Sequence, residues 1–379
     1  MREVVIVEAV RAPIGKRNGT LSGLLPVHLA ARILKALVER ARLEPGLVED
    51  VIFGCVTPLG DQGANVTRLA VLQAGLPIEV PAVTLNRMCG SGQQAIHFAA
   101  QAIAAGDMDV VIAGGIEMMS RVPLASDWPA EWPSDFPYPL VHQGLSAEMM
   151  AERWNLTRED LDRFAYESHL KAAAATQRGD FAREIAPMAV PRPDGSLMSL
   201  DYDEGIRFEP ALEKMALLAP AFKPDGVVTA GNASQISDGC AAVLLTSLDR
   251  AVQLGLKPRA RLVARAVVGS DPVMMLTGPI PATRKVLERA VLTIDQIDAI
   301  EINEAFASVV LAWEKEICPP RARVNPNGGA IAHGHPLGAT GAVLMTKLLH
   351  HLEQIGGHYG LQTMCIGHGM ATATIIEKL

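Results

Sequence analysis

Aromatic residues are scarce in this chain: Phe, Trp and Tyr together make up 4% of its 379 residues. A core with so few rings must be aliphatic and alanine-rich, as in packed layers of helix and sheet. Cysteine is sparse too, at positions 55, 89, 240, 318 and 365, with no C-x-x-C pair. That pattern excludes a disulfide framework and argues for a reducing compartment, so a cytoplasmic location is expected. No apolar run is long enough to span a bilayer, so no membrane insertion is expected. The stretch Met1–Glu8 reads as a strand, not a leader, because Glu8 and Arg11 follow too soon. Basic clusters are missing and the net charge is -7, which argues against a nucleic-acid surface. An anionic ligand therefore needs a local site.

What the chain does have is apolar and rich in turns, with 49% hydrophobic residues and 33 glycines. Its length suggests about two to three domains. Strand-like and helix-like stretches alternate. Val4–Val10 reads as a strand, 27–41 as a helix and 51–54 as a strand, followed by a helix at 65–74. Residues 80–85 then read as a short buried strand, 95–105 as a helix stopped by Gly106, and 109–115 as a strand. Such alternation predicts an α/β fold with a mostly parallel sheet covered on both faces.

From 118 to about 228 the character changes. Prolines accumulate, three of the four tryptophans fall here, and residues 158–178 form a long polar helix pattern. Residues 187–203 hold turn chemistry with little periodicity. This is expected to be an inserted lid or binding region. Residues 227–232 read as a return to sheet sequence, and 241–246 as a buried strand. The last third repeats the first: 261–267 parallels the first strand, and 294–302 parallels 47–53. A glycine-rich turn at 334–341 occupies the position that the turn at 86–95 holds in the first half. The expected division is 1–117 completed by 229–255, an insert at 118–228, and 256–379.

The stretch Asn86-Arg87-Met88-Cys89-Gly90-Ser91-Gly92 joins a strand to a helix. Cys89 there faces backbone N–H groups that have no partner within the helix, at the positive end of its dipole. Both effects favour thiolate and make Cys89 a candidate nucleophile. The same N–H groups suit an oxyanion, and Gly90 and Gly92 would let a carbonyl approach the backbone. Two other readings fit these residues. Cys89 can be a small packing residue. Alternatively, Gly90–Ala95 matches a G-x-G-x-x-A dinucleotide loop, with Glu117 as the ribose-binding acid.

The C-terminal third adds further candidates. His335 lies at a strand–helix turn, suited to a general base titrating near neutrality. Cys365 ends a strand before a glycine turn in which Gly367 offers a backbone N–H, and Asn303 follows another strand. His333-x-His335 resembles half a metal site, but no acidic or cysteine ligand sits at a zinc-like spacing, so no metal is expected. His350, His351 and His358 read as solvated, and Cys55, Cys240 and Cys318 as packing residues.

Cys89-Gly-Ser-Gly, Asn303-Glu-Ala-Phe, Gly334-His335-Pro-Leu-Gly-Ala-Thr-Gly341 and Cys365-x-Gly367 together resemble the thiolase family. The likeness runs nearly end to end, including 11–15 and 229–234. It implies a five-layered αβαβα fold of two duplicated halves with an inserted loop domain, assembled as a homodimer or homotetramer. It also implies thiolytic cleavage of a 3-ketoacyl-CoA through an acyl group on Cys89. His335 would then act as base and Cys365 would shuttle the second proton. Oxyanions would rest on His335 with Asn303, and on the N–H groups of Cys89 and Gly367. Coenzyme A is the implied co-substrate, with no tightly bound cofactor. By the same resemblance His142 and Ser234 lie along the pantetheine. Relatives often carry a cation where this chain has Ala219, so Lys214 or Lys223 is expected to serve the phosphates. The segment 234–239 resembles degradative enzymes acting on fatty acids or steroid side chains. The alternatives are a biosynthetic acetoacetyl-CoA thiolase and a non-catalytic CoA-binding scaffold. His368, where relatives often have glycine, is expected to point to solvent.

Overall fold

A computed structural model describes residues 2–191 and 195–379. Met1 of the expected first strand and 192–194 of the expected turn stretch lie outside the described residues. In chain order the first half runs β1 (Val4–Arg11), β2 (Gly15–Lys16), α1 (Pro26–Ala41), β3 (Asp50–Gly54), α2 (Val66–Gln73), β4 (Ala82–Leu85), α3 (Ser91–Ala105) and β5 (Val110–Met118). The excursion carries α4 (Gln143–Arg153), α5 (Arg158–Arg178), β6 (Met188–Pro191), β7 (Leu197–Leu200) and α6 (Leu212–Ala216). Next come β8 (Ser237–Ser247) and α7 (Leu248–Gln253). The second half follows as β9 (Ala260–Gly269), α8 (Pro279–Ala290), β10 (Ala299–Ile302), α9 (Ala307–Ile317), α10 (Ala330–His333), α11 (Leu337–Ile355), β11 (Tyr359–Ile366) and β12 (Met370–Lys378).

The large sheet has the order β10-β11-β12-β9-β1-β8-β5-β3-β4, with β2 beside β8. It is two sheets joined where Val5 and Ile6 of β1 meet Arg261 and Ala260 of β9. In the first half only β5–β3 and β3–β4 pair in parallel, and in the second only β10–β11. The expected mostly parallel sheet is therefore mixed. The final strand of each half lies antiparallel between its partners; the pairings of β8 with β5 and β1 and of β12 with β9 are long-range choices that local patterning does not encode. The halves repeat strand, helix, strand, helix, strand, helix, strand, strand; in the second half the third strand shrinks to a bridge of Val324 with Ile300.

Helices α1 and α2 cover the outer face of one sheet and α8 and α9 that of the other, while α3 and α11 fill the layer between. Three apolar clusters correspond to these interfaces and give the five layers. The middle layer is also stitched by polar bonds. Gln93 on α3 donates to Thr374 Oγ1 (2.7 Å) and accepts from Thr372 Oγ1 (2.7 Å), both on β12. Because α11 lies between two sheets, even its Lys347 is buried, donating to Gly328 O (2.6 Å) and pairing with Glu301 (3.2 Å). His350, expected in solvent, is buried against Arg259 and Ala9 O. His358 is exposed and His351 half-buried beside Asn327.

Other local readings change as well. The strand at 82–85 is not buried: it forms the sheet edge, and Val83 is 44% exposed. Met188–Pro191 pairs antiparallel with Leu197–Leu200, and 227–232 form a loop instead of a strand. Cys55 and Cys240 are buried, but Cys318 is exposed just past α9. The excursion is anchored by buried charges. Arg11 of β1 pairs with Glu184 (2.7 Å) and with Asp203 (2.7 Å), which also accepts from His333 Nδ1 (2.7 Å). No described helix is long and apolar enough to cross a membrane.

Candidate active site

Cys89 lies one residue before Gly90, the N-cap of α3, on a turn that local bonds hold tightly. Met88 takes a left-handed backbone (φ +47°). Asn86 Oδ1 accepts Met88 N–H (2.7 Å), while Ser91 Oγ accepts Arg87 N–H (2.9 Å) and donates to Met88 O (2.6 Å). A non-glycine residue in that region costs on the order of 1 kcal/mol or more and persists because its surroundings enforce it. Gly90 and Gly92 have a different role from the expected one. A Cβ on Gly90 would strike Ile366 Cδ1 (2.2 Å), and one on Gly92 would meet Gly338 O (2.8 Å) and Ala342 N (3.0 Å). They allow α3 to pack against α11 and β11, and do not open the backbone to a ligand.

Burial pushes the Cys89 thiol up to about 11, against the opposing N–H groups of Gly367 and of Cys89 itself. The expected resting thiolate is thus replaced by a thiol. Desolvation outweighs the helix terminus because almost no water reaches the sulfur. His335 shifts the other way, held down to about 4 by burial, so it rests as a neutral imidazole and not as a group titrating near 7.

The surroundings of His335 fix its tautomer. Thr340 Oγ1 donates to Pro336 O (2.8 Å), so at 2.6 Å from His335 Nδ1 it must accept, and Nδ1 carries the hydrogen. Nε2 is left with its lone pair, 3.3 Å from Asn303 Nδ2. Asn303 Oδ1 is buried without a partner among the described residues, and can accept from water or a reacting group. The backbone of Asn303 is held by Thr363 O (3.1 Å), and the neighbouring Glu304 accepts from Ser168 (2.7 Å) and Asn325 (2.9 Å). Cys365 is buried at the end of β11, and its pKa is raised first by burial and then by the charge of Cys89 nearby. His335 thus meets Asn303, and Cys89 lies by Cys365 and the Gly367 N–H, while Leu124, His142, Gln143 and Leu337 line both the cavity of His335 and that of Cys89. Thr340 was not singled out in the sequence, though a hydroxyl in the first turn after His335 was the available signal.

Glu117, the candidate ribose acid of the dinucleotide reading, has its lone pairs used by the chain itself. It accepts from Val56 N (2.7 Å), Thr57 N (3.2 Å), Gly338 N (2.9 Å) and Gln62 Nε2 (2.8 Å). Those bonds tie the start of α11 to the first half. They leave no acceptor for a ribose.

Three cavities adjoin at His142, and one of them holds Cys89. One of about 580 Å³ is lined by Lys16, Arg17, His142, Phe222, Ser234 and His335, among others. A small one of about 140 Å³ holds Cys89, Gly367, Leu337, His142 and His368. The third, of about 610 Å³, runs from His142 and His368 into the segment 128–141. His142 caps α4 through Nδ1, which accepts Gly144 N–H (3.1 Å), and its ring lies 5.2 Å from that of Phe222. Ser234 is fixed by its N–H to Ala305 O (2.9 Å). Lys214 is exposed on α6, and Lys223 is paired with Glu152. Neither lines the cavity, where the cations are Lys16 and Arg17 instead. His368 is exposed, yet its ring lies against Trp128 and Trp132 and not free in solvent.

The sequence models of the thiolase N-terminal and C-terminal domains match residues 4–249 and 256–378. The chain belongs to the thiolase family. It is 50% identical to the steroid 3-ketoacyl-CoA thiolase FadA6 of Mycobacterium tuberculosis, over all of this chain and 95% of that one. Identity to a beta-ketoadipyl-CoA thiolase of Acinetobacter baylyi is 44% over the full length of both. A crystal structure of the Bacillus anthracis acetyl-CoA acetyltransferase superposes with a TM-score of 0.94 at 40% identity, covering 100% of this chain and 99% of that one. These likenesses carry the layered fold across the whole thiolase chain.

Proposed function

We propose that this thiolase cleaves 3-ketoacyl-CoA with coenzyme A, releasing acetyl-CoA and an acyl-CoA shortened by two carbons. The observation that carries the reading is a buried thiol beside the Gly367 N–H and a second cysteine, in a cavity that shares Leu337 and His142 with the one lined by the neutral imidazole of His335. The names of its relatives, a steroid 3-ketoacyl-CoA thiolase and a 3-ketoacyl-CoA thiolase among them, support the degradative direction.

In the proposed mechanism His335 Nε2 takes the Cys89 proton as the sulfur attacks the C3 carbonyl. The C3 oxyanion rests on the protonated His335 and on a water held by Asn303. The C2–C3 bond then breaks, and its electron pair is delocalised onto the thioester oxygen, which the N–H groups of Cys89 and Gly367 stabilise. Cys365 protonates C2, completing acetyl-CoA and leaving an acyl thioester on Cys89. Incoming CoA gives its thiol proton to Cys365 and attacks that thioester. Cys89 leaves as thiolate and recovers its proton from His335, so both proton carriers are restored. A thiol and a neutral imidazole suit this cycle, because the thiolate is needed only while the bond forms.

CoA is a co-substrate in this reading, with no tightly bound cofactor. It would lie in the 580 Å³ cavity, with His142 and Ser234 along the pantetheine and Lys16 and Arg17 toward the phosphates. Lys214 and Lys223, farther out, would add only to the surrounding field. The chain divides functionally into 1–117 with 229–255, the CoA-covering insert 118–228, and 256–379. A homo-oligomer is supported by the unpaired edge at β4, where Val83, Leu69, Leu72 and Ile78 are all exposed. Five unpaired cysteines fit the cytoplasm. Running the same steps backwards would be the acetoacetyl condensation, but that reaction leaves the 610 Å³ cavity unused. Thiolysis of acetoacetyl-CoA and longer 3-ketoacyl-CoAs should vanish in Cys89→Ala with the fold retained. Undiminished turnover in that variant would end the proposal.

A further inference from the structure

The chain's sixteen aromatic residues (8 Phe, 4 Trp, 4 Tyr) are unevenly spread, and four of them fall between 128 and 138. Each precedes a proline: Trp128-Pro129, Trp132-Pro133, Phe136-Pro137 and Tyr138-Pro139. A following proline biases a residue toward extended backbone, and proline itself offers no N–H. The segment 119–142 accordingly forms neither helix nor strand. Its rings do not fold into the core: Trp128, Trp132, Phe136 and Tyr138 are 47%, 39%, 43% and 53% exposed. At ~200 Å² for each ring, that leaves roughly 350 Å² of aromatic surface uncovered, on the scale of patches that mark ligand grooves.

These rings form a wall. Trp128 and Trp132 meet edge to face at 6.1 Å and 90°, Phe136 continues the row at 6.1 Å from Trp132, and His368 lies 6.2–6.3 Å from both tryptophans. The 610 Å³ cavity beneath them shares Trp128, Val141, His142, Met275 and His368 with the cavity that holds Cys89. The bay is thus continuous with the cavity of the reacting sulfur, and shares only His142 with the cavity of Lys16, Arg17 and Ser234.

We infer that this bay receives the acyl group of the substrate and selects acyl groups bearing an uncharged carbocycle. The inference rests on the thiolytic reading above. Shape argues for a ring: a linear chain needs only a narrow channel, whereas a corner of perpendicular indoles presents faces and edges to a ring. Charge argues against a distal carboxylate. Among the described residues no Lys or Arg lines the bay, and Asp127 lines the neighbouring cavity that holds Cys89. An acyl chain ending in a carboxylate, as in 3-oxoadipyl-CoA, would therefore exchange water for aromatic rings and find His142, His368 and Ser270 as polar neighbours, with no Lys or Arg to pair with.

The test compares kcat/KM for thiolysis of 3-oxo-5-cyclohexylpentanoyl-CoA, the linear 3-ketoacyl-CoA of equal carbon number, 3-oxoadipyl-CoA and acetoacetyl-CoA. The wild-type protein should favour the ring over the linear chain, and over 3-oxoadipyl-CoA by more than tenfold. In Trp132→Ala and Phe136→Ala the ring-to-linear ratio should fall at least fivefold; being a ratio, it is insensitive to loss of folded enzyme. Equal turnover of ring and linear substrates, with ratios unmoved in both variants, overturns the inference and leaves thiolysis intact. So does a preference for 3-oxoadipyl-CoA. A changed oligomeric mass in Trp132→Ala with an unchanged ratio assigns the bay to a subunit contact and also overturns it. Failure to cleave any of the four overturns the thiolytic reading itself.

Discussion

Thr340→Val keeps the shape of the first turn of α11 and removes one hydroxyl. In the wild-type chain that hydroxyl receives the Nδ1–H of His335 at 2.6 Å and gives its own hydrogen to Pro336 O at 2.8 Å. Pro336 O still accepts the N–H groups of Ala339 and Thr340, both at 2.9 Å, so the carbonyl remains satisfied. The buried imidazole N–H does not, and leaving it unpaired should cost about 1–3 kcal/mol of stability. The catalytic loss is a separate quantity. Once His335 takes the thiol proton it is a cation, and its bond to Thr340 becomes charge-assisted and roughly twice as strong. The bond is therefore worth more in the transition state than at rest. Losing a differential of about 1–2 kcal/mol should lower kcat roughly 5- to 30-fold. Thr340 lines none of the three cavities, so KM should change little. Steady-state thiolysis, followed by loss of the 3-ketoacyl-CoA enolate absorbance, gives both constants, and a thermal melt gives the stability cost. Thr340→Ser should restore most of kcat. A Thr340→Val enzyme with wild-type kcat would refute the argument that this bond holds the reactive tautomer.

Two further outcomes follow from buried charge. Glu117→Ala orphans three backbone N–H groups and the Gln62 amide at the junction of the halves, and should cost about 3–5 kcal/mol in denaturant unfolding; a midpoint within error of wild type would contradict that role. Burial depresses His97 and His350 to about 3, and His169 and His335 to about 4. The unfolded chain takes up these protons below about 6.5 while the folded chain does not, so stability present above that pH is lost on acidification. Each histidine should remove ~1.4 kcal/mol per pH unit until its folded pKa is reached. Melting temperature measured from pH 7 to 4.5 should fall steadily, and a flat profile would show that these rings are not buried as neutral groups.

The turn at Cys89 was legible in the sequence because it is local: a strand ends, glycines follow, and a helix begins. His335, expected at a strand–helix turn, instead lies between α10 and α11, because the strand expected before it shrinks to the single bridge at Val324. The repeat of strands and helices was legible because it too is local. Pairing order was not, since β8 returns from beyond the excursion to lie antiparallel between β5 and β1, and β12, a local hairpin with β11, also pairs with the distant β9. Exposure along α11 was misread because its polar residues meet partners from the other elements: Lys347 finds Glu301, and His350 finds Arg259 and Ala9 O. The pKa values followed burial, not the helix terminus visible at Cys89, and burial is a property of the whole fold. Lys16 and Arg17 were visible as residues but not as cavity walls, because only the folding of the excursion over β1 and β2 gives them that position.

The central claim is that Cys89 carries the acyl group. Incubating the enzyme with a 3-ketoacyl-CoA in the absence of free CoA, quenching in acid and mapping peptides by mass tests it directly. The account predicts stoichiometric release of acetyl-CoA and one acyl group on the peptide containing Cys89, removed when CoA is added. An acyl group on Cys365, or acetyl-CoA released with no modified cysteine, would contradict it.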